Sequence, residues 1–348
     1  MIPFINPALP RRAVLGGAFA AAAVLALGAG PALALDKVTF GTNWKAQAEH
    51  GGYYQAVATG IYEKYGLDVT IRPGGPQVNH AQLLAAGKID FSMGASNFEA
   101  LNFVDNNIPM VAVAAIFQKD PQVLIAHPGV GHDSMASLKG KPIMISNDAR
   151  TQWWLWAKQA FGYTDDQIRP YTFNPAPFLA DKNAVQQGYV TSEPFAIETI
   201  GGFKPVVHLM ADNGFHAYST TIQTSWKRVN ENPDLVQRFI DATIEGHYSY
   251  LYGDPAPGNA LIKQDNPDMS DEQIAFSIAT MKRYGIVDSG DAEQLGIGAM
   301  TDARWQAFLD FAVKAKIYKP DIDMSKAYTL QFVNKGVGLD LKKKLMGN

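Results

Sequence analysis

The chain has 348 residues, 30 basic against 33 acidic side chains, no cysteine and 47% apolar residues, and its length allows about two domains. A formal charge of −3 without a basic run or Arg-rich stripe excludes a general attraction for nucleic acid or anionic lipid. Zero cysteines exclude disulfides, thiolate metal sites, Cys nucleophiles and thioether lipid anchors.

Residues 1–34 carry two charges, Arg11 and Arg12, followed by an apolar run from Ala13 to Ala34 that ends in the small-x-small site Ala32-Leu33-Ala34. This pattern predicts an export signal cleaved before Leu35. The paired arginines ahead of a Gly/Ala-rich core point to the twin-arginine route, with the ordinary Sec route as the alternative. A retained anchor is the competing reading, because the uncharged run is long enough to span a bilayer; its glycines, Pro31 and the cleavage site speak against it. Loss of both arginines takes the charge from −3 to −5 over the remaining 314 residues. Without a lipoprotein cysteine, the expected destination is a Gram-negative periplasm, with the chain soluble and unanchored.

Short β-type runs then alternate with helical ones, which predicts an α/β fold of βα units around mainly parallel sheets. Residues 37–42, 67–72, 89–93 and 111–117 read as strands; 53–65, 79–86 and 98–105 read as helices. After Lys119-Asp120-Pro121 a second series begins, with strands at 122–126, 142–146, 169–173, 188–191 and 205–209 and helices at 152–161 and 178–186. A β-rich stretch at 218–224 precedes helices at 233–252, 271–284 and 302–315. In the first of these, Leu235, Val236, Phe239, Ile240 and Ile244 mark one apolar face. This order describes two lobes connected twice, near 119–121 and 217–224, with a helical C-terminal tail. The lobes are taken as 35–120 with 220–348, and 121–219. Such a bilobal clamp holds its ligand between the lobes.

Enzyme signatures are missing. No phosphate-binding G-x-x-x-x-G-K-[ST], G-x-G-x-x-G or G-x-S-x-G occurs, and the seven histidines form neither H-x-x-x-H nor H-E-x-x-H. His127 and His132 bracket a turn that a metal would staple only with a third ligand, and none is indicated. No cofactor is expected, and a triad assembled from distant residues stays formally open.

In an open α/β sheet the ligand sits at the turns after the strands. The first turn offers Trp44, Gln47 and His50 beside Gly51-Gly52: an aromatic face, directional polar groups and bare backbone that suit a flat polar ring. Trp44 as a cap on the core is the competing reading. Asn79 adds an amide, or caps the next helix. Ser96 and Asn97 open the helix after the third strand, where Glu99 either accepts from a ligand or complements the helix dipole. In the second lobe, Ser146 and Asn147 precede Trp153-Trp154-Leu155-Trp156; Trp153 and Trp156 share a face, leaving one indole as a stacking platform. Ser192-Glu193-Pro194-Phe195 combines cap, carboxylate, N1 proline and ring. His216 sits at the return crossing, placed to cover a ligand.

Gly60-Ile61-Tyr62-Glu63-Lys64-Tyr65-Gly66-Leu67-Asp68-Val69 resembles a signature of type II periplasmic solute-binding proteins, in the branch related to thiamine-pyrimidine synthase and to formylaminopyrimidine, sulfonate and nitrate binders. Residues 87–91, 137–141 and 231–236 match later landmarks of that family in order. Gly188-Tyr189-Val190-Thr191-Ser192-Glu193-Pro194 looks like the G-Y-x-T-x-E-P stretch of the pyrimidine-binding branch. The resemblance implies a monomeric two-lobe clamp that delivers a small planar heteroaromatic solute, such as a thiamine-precursor pyrimidine, to an ABC permease and its ATPase. Trp44, Trp153 and Phe195 would stack on the ring, and Gln47, Asn97, Ser146, Asn147 and Glu193 would bond its edge. The runner-up ligand is an aromatic or aliphatic acid, a sulfonate or nitrate, for which Lys45 and Arg150 are the candidate cations. A synthase-like enzyme using His50 or His80 is the alternative of another class. It is disfavoured because synthase members depend on a cysteine-rich motif, and this chain reads Ala211-Asp212-Asn213-Gly214-Phe215-His216 after Met210.

Overall fold

A computed structural model describes residues 34–75, 78–171 and 174–347. The expected export signal, apart from Ala34, lies outside the described residues, as do Pro76, Gln77, Thr172 and Phe173. The first β-type run forms β1 (Asp36–Gly41), followed by helices α1 (Gly51–Ala58) and α2 (Ile61–Lys64) and strand β2 (Leu67–Arg72). The single helix expected over 53–65 is thus two helices. Gly60 between them has φ 70°, a left-handed conformation that interrupts the helical path. Next come α3 (His80–Ala85), β3 (Phe91–Ser96), α4 (Asn97–Asp105) and β4 (Met110–Phe117).

The chain then crosses to a second sheet. Strands β5 (Gln122–Ala126) and β6 (Ile143–Ile145), helix α5 (Trp153–Phe161), strand β7 (Ile168–Pro170), helix α6 (Ala176–Ala180), strand β8 (Val185–Tyr189), helix α7 (Glu193–Gly201) and strand β9 (Val206–Leu209) build it. The return strand is β10 (Ser219–Ser225). Helices α8 (Trp226–Glu231), α9 (Pro233–Tyr252), α10 (Ala256–Asp265), α11 (Asp271–Tyr284), α12 (Ala292–Leu295), α13 (Asp302–Lys314) and α14 (Leu339–Met346) complete the chain. The helix expected over 178–186 stops at Ala180, and Val185–Tyr189 is a strand. Both of its neighbours, β5 and β6, pair with it, and central pairing overrides local helix preference.

The sheets run in the order β2-β1-β3-β10-β4 and β7-β6-β8-β5-β9. Each is mixed, which corrects the expectation of mainly parallel pairing. Strand β10 is antiparallel to β3 and β4, and β5 to β8 and β9. The reason lies in the crossings. A strand that enters from the other lobe starts at the edge where its neighbours end, so β5 and β10 run backwards. Strands β1, β3 and β4 therefore finish at the same edge as the crossings, and β6, β8 and β9 do likewise opposite them.

All eight residues of β4 are buried although it ends its sheet. C-terminal segments cover that edge: Ala112 N–H donates to the Ala327 carbonyl (2.9 Å) and Ala115 N–H to the Gly298 carbonyl (3.0 Å). Helix α9 lies against α1 through glycines. A Cβ on Gly246 would stand 2.4 Å from the Gly52 carbonyl oxygen, and Cβ atoms on Gly51 and Gly52 would enter the rings of Tyr250 and His247. Gly51-Gly52 therefore serve the close packing of two helices, correcting their assignment to backbone approach by a ligand.

Candidate functional site

The lobes meet at the strand ends. Thr191, just beyond β8, donates its hydroxyl to Oε1 of Glu49, in the turn Ala48–His50 that opens α1. Helix α11 adds further links: Ser277 Oγ donates to the Thr191 carbonyl (2.7 Å), Gln273 Nε2 to the Ser192 carbonyl (3.4 Å), and the rings of Phe276 and Phe195 lie 5.2 Å apart.

Three carboxyl groups gather here. Glu49 comes from the first lobe, Asp120 from the outgoing crossing and Glu193 from the start of α7. All three help raise the Tyr189 phenol above its ordinary range, after the larger effect of burial. Burial pushes the carboxyls of Asp120 and Glu193 up to about 7 and raises that of Glu49. Glu193 Oε2 accepts from the Tyr189 backbone N–H (2.7 Å), and its Oε1 accepts from the Tyr171 hydroxyl (3.3 Å), which in turn takes a bond from Gln186 Nε2 (3.2 Å). Asp120 Oδ1 accepts from the Gln122 N–H (2.8 Å). The second oxygen of Glu49 is buried without a partner. Among the described residues no lysine or arginine pairs with these carboxyls. The nearby imidazoles supply no charge either: burial lowers His50 to about 3, with help from His247, and lowers His247 to about 4. Once ionised, such a site repels an anion and favours N–H groups.

Glu193 folds back over β8 because Gly188 has no side chain. A Cβ there would stand 2.8 Å from Glu193 Cβ and 2.9 Å from Ile125 Cδ1.

The residues singled out in the sequence have several fates. His50 is buried, with Nε2 3.3 Å from Asn43 Oδ1 and Nδ1 unpartnered. Trp44 and Gln47 are half-buried in the same turn. Asn79 is exposed and its Oδ1 accepts from the Gln82 N–H (3.0 Å), the capping alternative. Asn97 is fully buried and accepts from the Tyr218 N–H (2.6 Å), while Ser96 Oγ beside it is unpartnered. Glu99, in the first turn of α4, accepts from the Ala95 N–H (3.3 Å). Ser146 is tied to Gln187, its N–H donating to Oε1 (2.7 Å), and Asn147 is exposed. Trp153, Trp154 and Trp156 are all buried, so none of the three indoles stands out as an open platform. Trp154 Nε1 donates to Asp165 (2.9 Å), Trp156 packs on Phe161 and Phe215, and the Trp153 Nε1 is unpartnered. Ser192, Glu193 and Phe195 are half-buried beside the lobe contact, whereas His216 is exposed in a cavity at the crossings. Lys45 is exposed and pairs with Asp268 (3.7 Å), and Arg150 is exposed.

His127 stacks between Phe178 and Phe203, and its Nε2 lies 2.8 Å from the Phe178 carbonyl oxygen. Among the described residues no group of three or more His, Cys, Asp or Glu is arranged to hold a metal.

Glu49, Asp120 and the α11 side chains Gln273 and Ser277 were missed in the sequence. Glu49 adjoins His50, and Asp120 lies in the expected crossing; those two positions carried the only available signal. Gln273 and Ser277 sit in an amphipathic helix far along the chain and carried none.

A riboflavin-binding protein of Chloroflexus aurantiacus is 22% identical over 310 residues, covering 87% of each chain. The 4-amino-5-hydroxymethyl-2-methylpyrimidine phosphate synthase of Aspergillus parasiticus is 27% identical over 113 residues, about a third of either chain (32%). The structure of the alkanesulfonate-binding protein from Xanthomonas axonopodis pv. citri, solved with bound MOPS, superposes with a TM-score of 0.62 at 14% identity, over 84% of this chain and 98% of that one. The fold is therefore that of periplasmic binding proteins. The NMT1/THI5-like family matches residues 47–257, more than half of the sequence, and the chain belongs to that family.

Proposed function

We propose that the protein is the solute-binding component of an ABC importer and captures a small planar N-heteroaromatic solute between its lobes. The observation that carries this reading is the trio Glu49, Asp120 and Glu193, drawn from both lobes and a crossing, with no cation among the described residues to balance it. An N–H or amino group on a ring meets that demand; a sulfonate, nitrate or carboxylate would add charge of the same sign. Trp44, Gln47, Asn147, Ser192, Glu193 and Phe195 are the side chains we assign to the ligand, with Glu193 bonding the ring edge and Phe195 and Trp44 lying on its face. Asn79 and Asn97 hold the protein instead. The lobes are assigned to 35–120 with 220–348, and to 121–219. The chain acts in the periplasm as a monomer beside a permease and ATPase; among the described residues no helix is long and apolar enough to cross a membrane. Capture rather than conversion fits a chain without cysteine, whose match to a pyrimidine synthase is confined to about a third of either protein (32%).

A thermal-shift panel of riboflavin, 4-amino-5-hydroxymethyl-2-methylpyrimidine, an alkanesulfonate and nitrate tests this. A ligand at about 100 times its Kd stabilises the fold by about 2.7 kcal/mol. The heteroaromatic compounds should raise Tm and the anions should not. A rise with the sulfonate or nitrate alone overturns the ligand class.

A further inference from the structure

Two strands of chain join the lobes, and one side chain holds both. Arg304, on α13, donates through Nη2 to the carbonyl of Gln118, the first residue beyond β4, and also to the carbonyl of Ala217 (3.4 Å), just ahead of β10. Its Nη1 meets Gln118 Oε1 at 3.3 Å. The guanidinium lies 3.9 Å from the centre of the Tyr218 ring and 3.9 Å from Asp291 Oδ2. The groups it grips are themselves fixed to the first lobe. Gln118 N–H donates to the Ile286 carbonyl (2.7 Å) and its Nε2 to the carbonyls of Ala115 (3.0 Å) and Ala299 (2.9 Å). Tyr218 donates its hydroxyl to Asp291 (2.8 Å) and its N–H to Asn97 (2.6 Å).

Next to this anchored knot the packing opens. A cavity of about 310 Å³ lies between the crossings, lined by Gln118, Lys119, Asp212, Phe215, His216 and Arg304 among others. Two of the lining residues, Lys119 and Asp212, form an exposed ion pair (3.0 Å), and such a pair contributes little. Close-packed protein resists bending, so a solvent-open hollow beside the crossings is where the joint has room to turn. The first-lobe end of each strand is fixed by these bonds, and its far end is tied to the second lobe, Pro121 accepting from the Val190 N–H (2.9 Å) and Phe215 N–H donating to the Met210 carbonyl (3.0 Å), so the turn falls on the residues between.

We propose that Arg304 is the positioning residue of the hinge: by binding both crossings at once it sets the range of angles the lobes sample, and through that angle the affinity for the solute. A planar fork that reaches two carbonyls while lying on a ring is a task for arginine, which lysine with its single ammonium cannot reproduce. The inference rests on the two-lobe fold and not on any choice of ligand.

The absence of cysteine makes the test direct. Spin labels at Glu63→Cys and Lys182→Cys, both exposed and in different lobes, report the interlobe distance by electron-electron resonance without ligand; labels at Glu63→Cys and Lys319→Cys report within the first lobe. Arg304→Gln should broaden the interlobe distribution and add a longer population, Arg304→Lys should do so to a smaller extent, and the first-lobe pair should stay unchanged in both. An interlobe distribution in either folded variant that matches the parent overturns the proposal, as does equal broadening of the first-lobe pair. If Arg304→Gln does not fold, Arg304→Lys decides alone. Failure of the solute panel would leave this result standing, because no ligand enters it.

Discussion

The hinge and the cleft both place ionisable side chains where the lobes join and treat them in opposite ways. At the hinge a guanidinium meets two carbonyls, an amide oxygen, an aromatic face and a carboxylate. At the cleft Glu49, Asp120 and Glu193 crowd around one phenol, their hydrogen bonds come from backbone N–H groups and hydroxyls, and among the described residues no lysine or arginine pairs with them. A buried charge that is fully surrounded fixes geometry. One left without a counter-charge stays costly until a partner arrives. The first arrangement suits a joint, and the second a surface that waits for a donor.

The largest consequence is a pH dependence around neutral pH in which the cleft carboxyls dominate. Burial lifts Asp120 and Glu193 from ordinary values of 3.8 and 4.5 to about 7. An acid whose pKa rises on folding binds its proton more tightly in the folded state. The stability it contributes is therefore complete below its unfolded pKa and is lost as pH rises through its folded one. Each pH unit inside that window removes up to about 1.4 kcal/mol per group. Below about pH 6.5 the buried His50 and His247, lowered by burial from 6.5 to about 3 and about 4, act in the opposite sense and lose stability as pH falls, so Tm should be highest near about pH 6.5 and fall from there towards about pH 8. A calorimetric Tm that is flat or rises over that range would break the contrast between the two regions.

Glu193→Gln separates binding from this titration. It removes one ionisable group and the strongest acceptor offered to a ring N–H, and a hydrogen bond to a charged group is worth about 1.5–3 kcal/mol. Affinity for the heteroaromatic solute that scores in the panel should fall about 10- to 100-fold by calorimetry at neutral pH, and the slope of Tm against pH should shrink. Unchanged affinity would move the ligand away from Glu193.

Gly188→Ala acts on the same carboxyl from behind. The new methyl would press on Glu193 and Ile125 at 2.8–2.9 Å, and overpacking of this kind costs about 1–3 kcal/mol. Urea unfolding should show that loss, with weaker solute binding because Glu193 is displaced. A stable variant with full affinity would mean that the carboxylate does not need its place over β8.

The contrast also explains what could be read from the sequence. Strands such as β2 (LDVTIR) and β5 (QVLIA) and helix α9 carry local patterns, so their limits match the expectation closely. The order of runs revealed the two crossings as well. Val185 and Gln186 were misread as the end of a helix, with the strand expected only from Gly188, because V-Q-Q-G-Y has no alternation of its own; pairing with β5 and β6 makes Val185–Tyr189 a strand. For the proposed site, Glu193 was singled out by its cap, proline and ring. Glu49 was not, because its burial and its bond to Thr191 join residues 142 positions apart. The tryptophans misled for a related reason. Helical spacing reveals which indoles share a face, and only the packed lobe reveals that Trp153, Trp154 and Trp156 are all covered.

The smallest effect distinguishes a cap from a contact. Asn79 has an extended backbone (φ −106°, ψ 92°), and its side chain accepts from the Gln82 N–H at 3.0 Å, so it closes the first turn of α3 while remaining exposed. Asn79→Ala should lower stability by about 1 kcal/mol, the usual contribution of an N-cap, and leave solute affinity within error. Asn79→Asp should keep the stability, since a carboxylate caps as well and favours the helix N-terminus. A loss of affinity in Asn79→Ala comparable to that of Glu193→Gln, with Tm preserved, would extend the ligand surface beyond the cleft carboxyls to the start of α3.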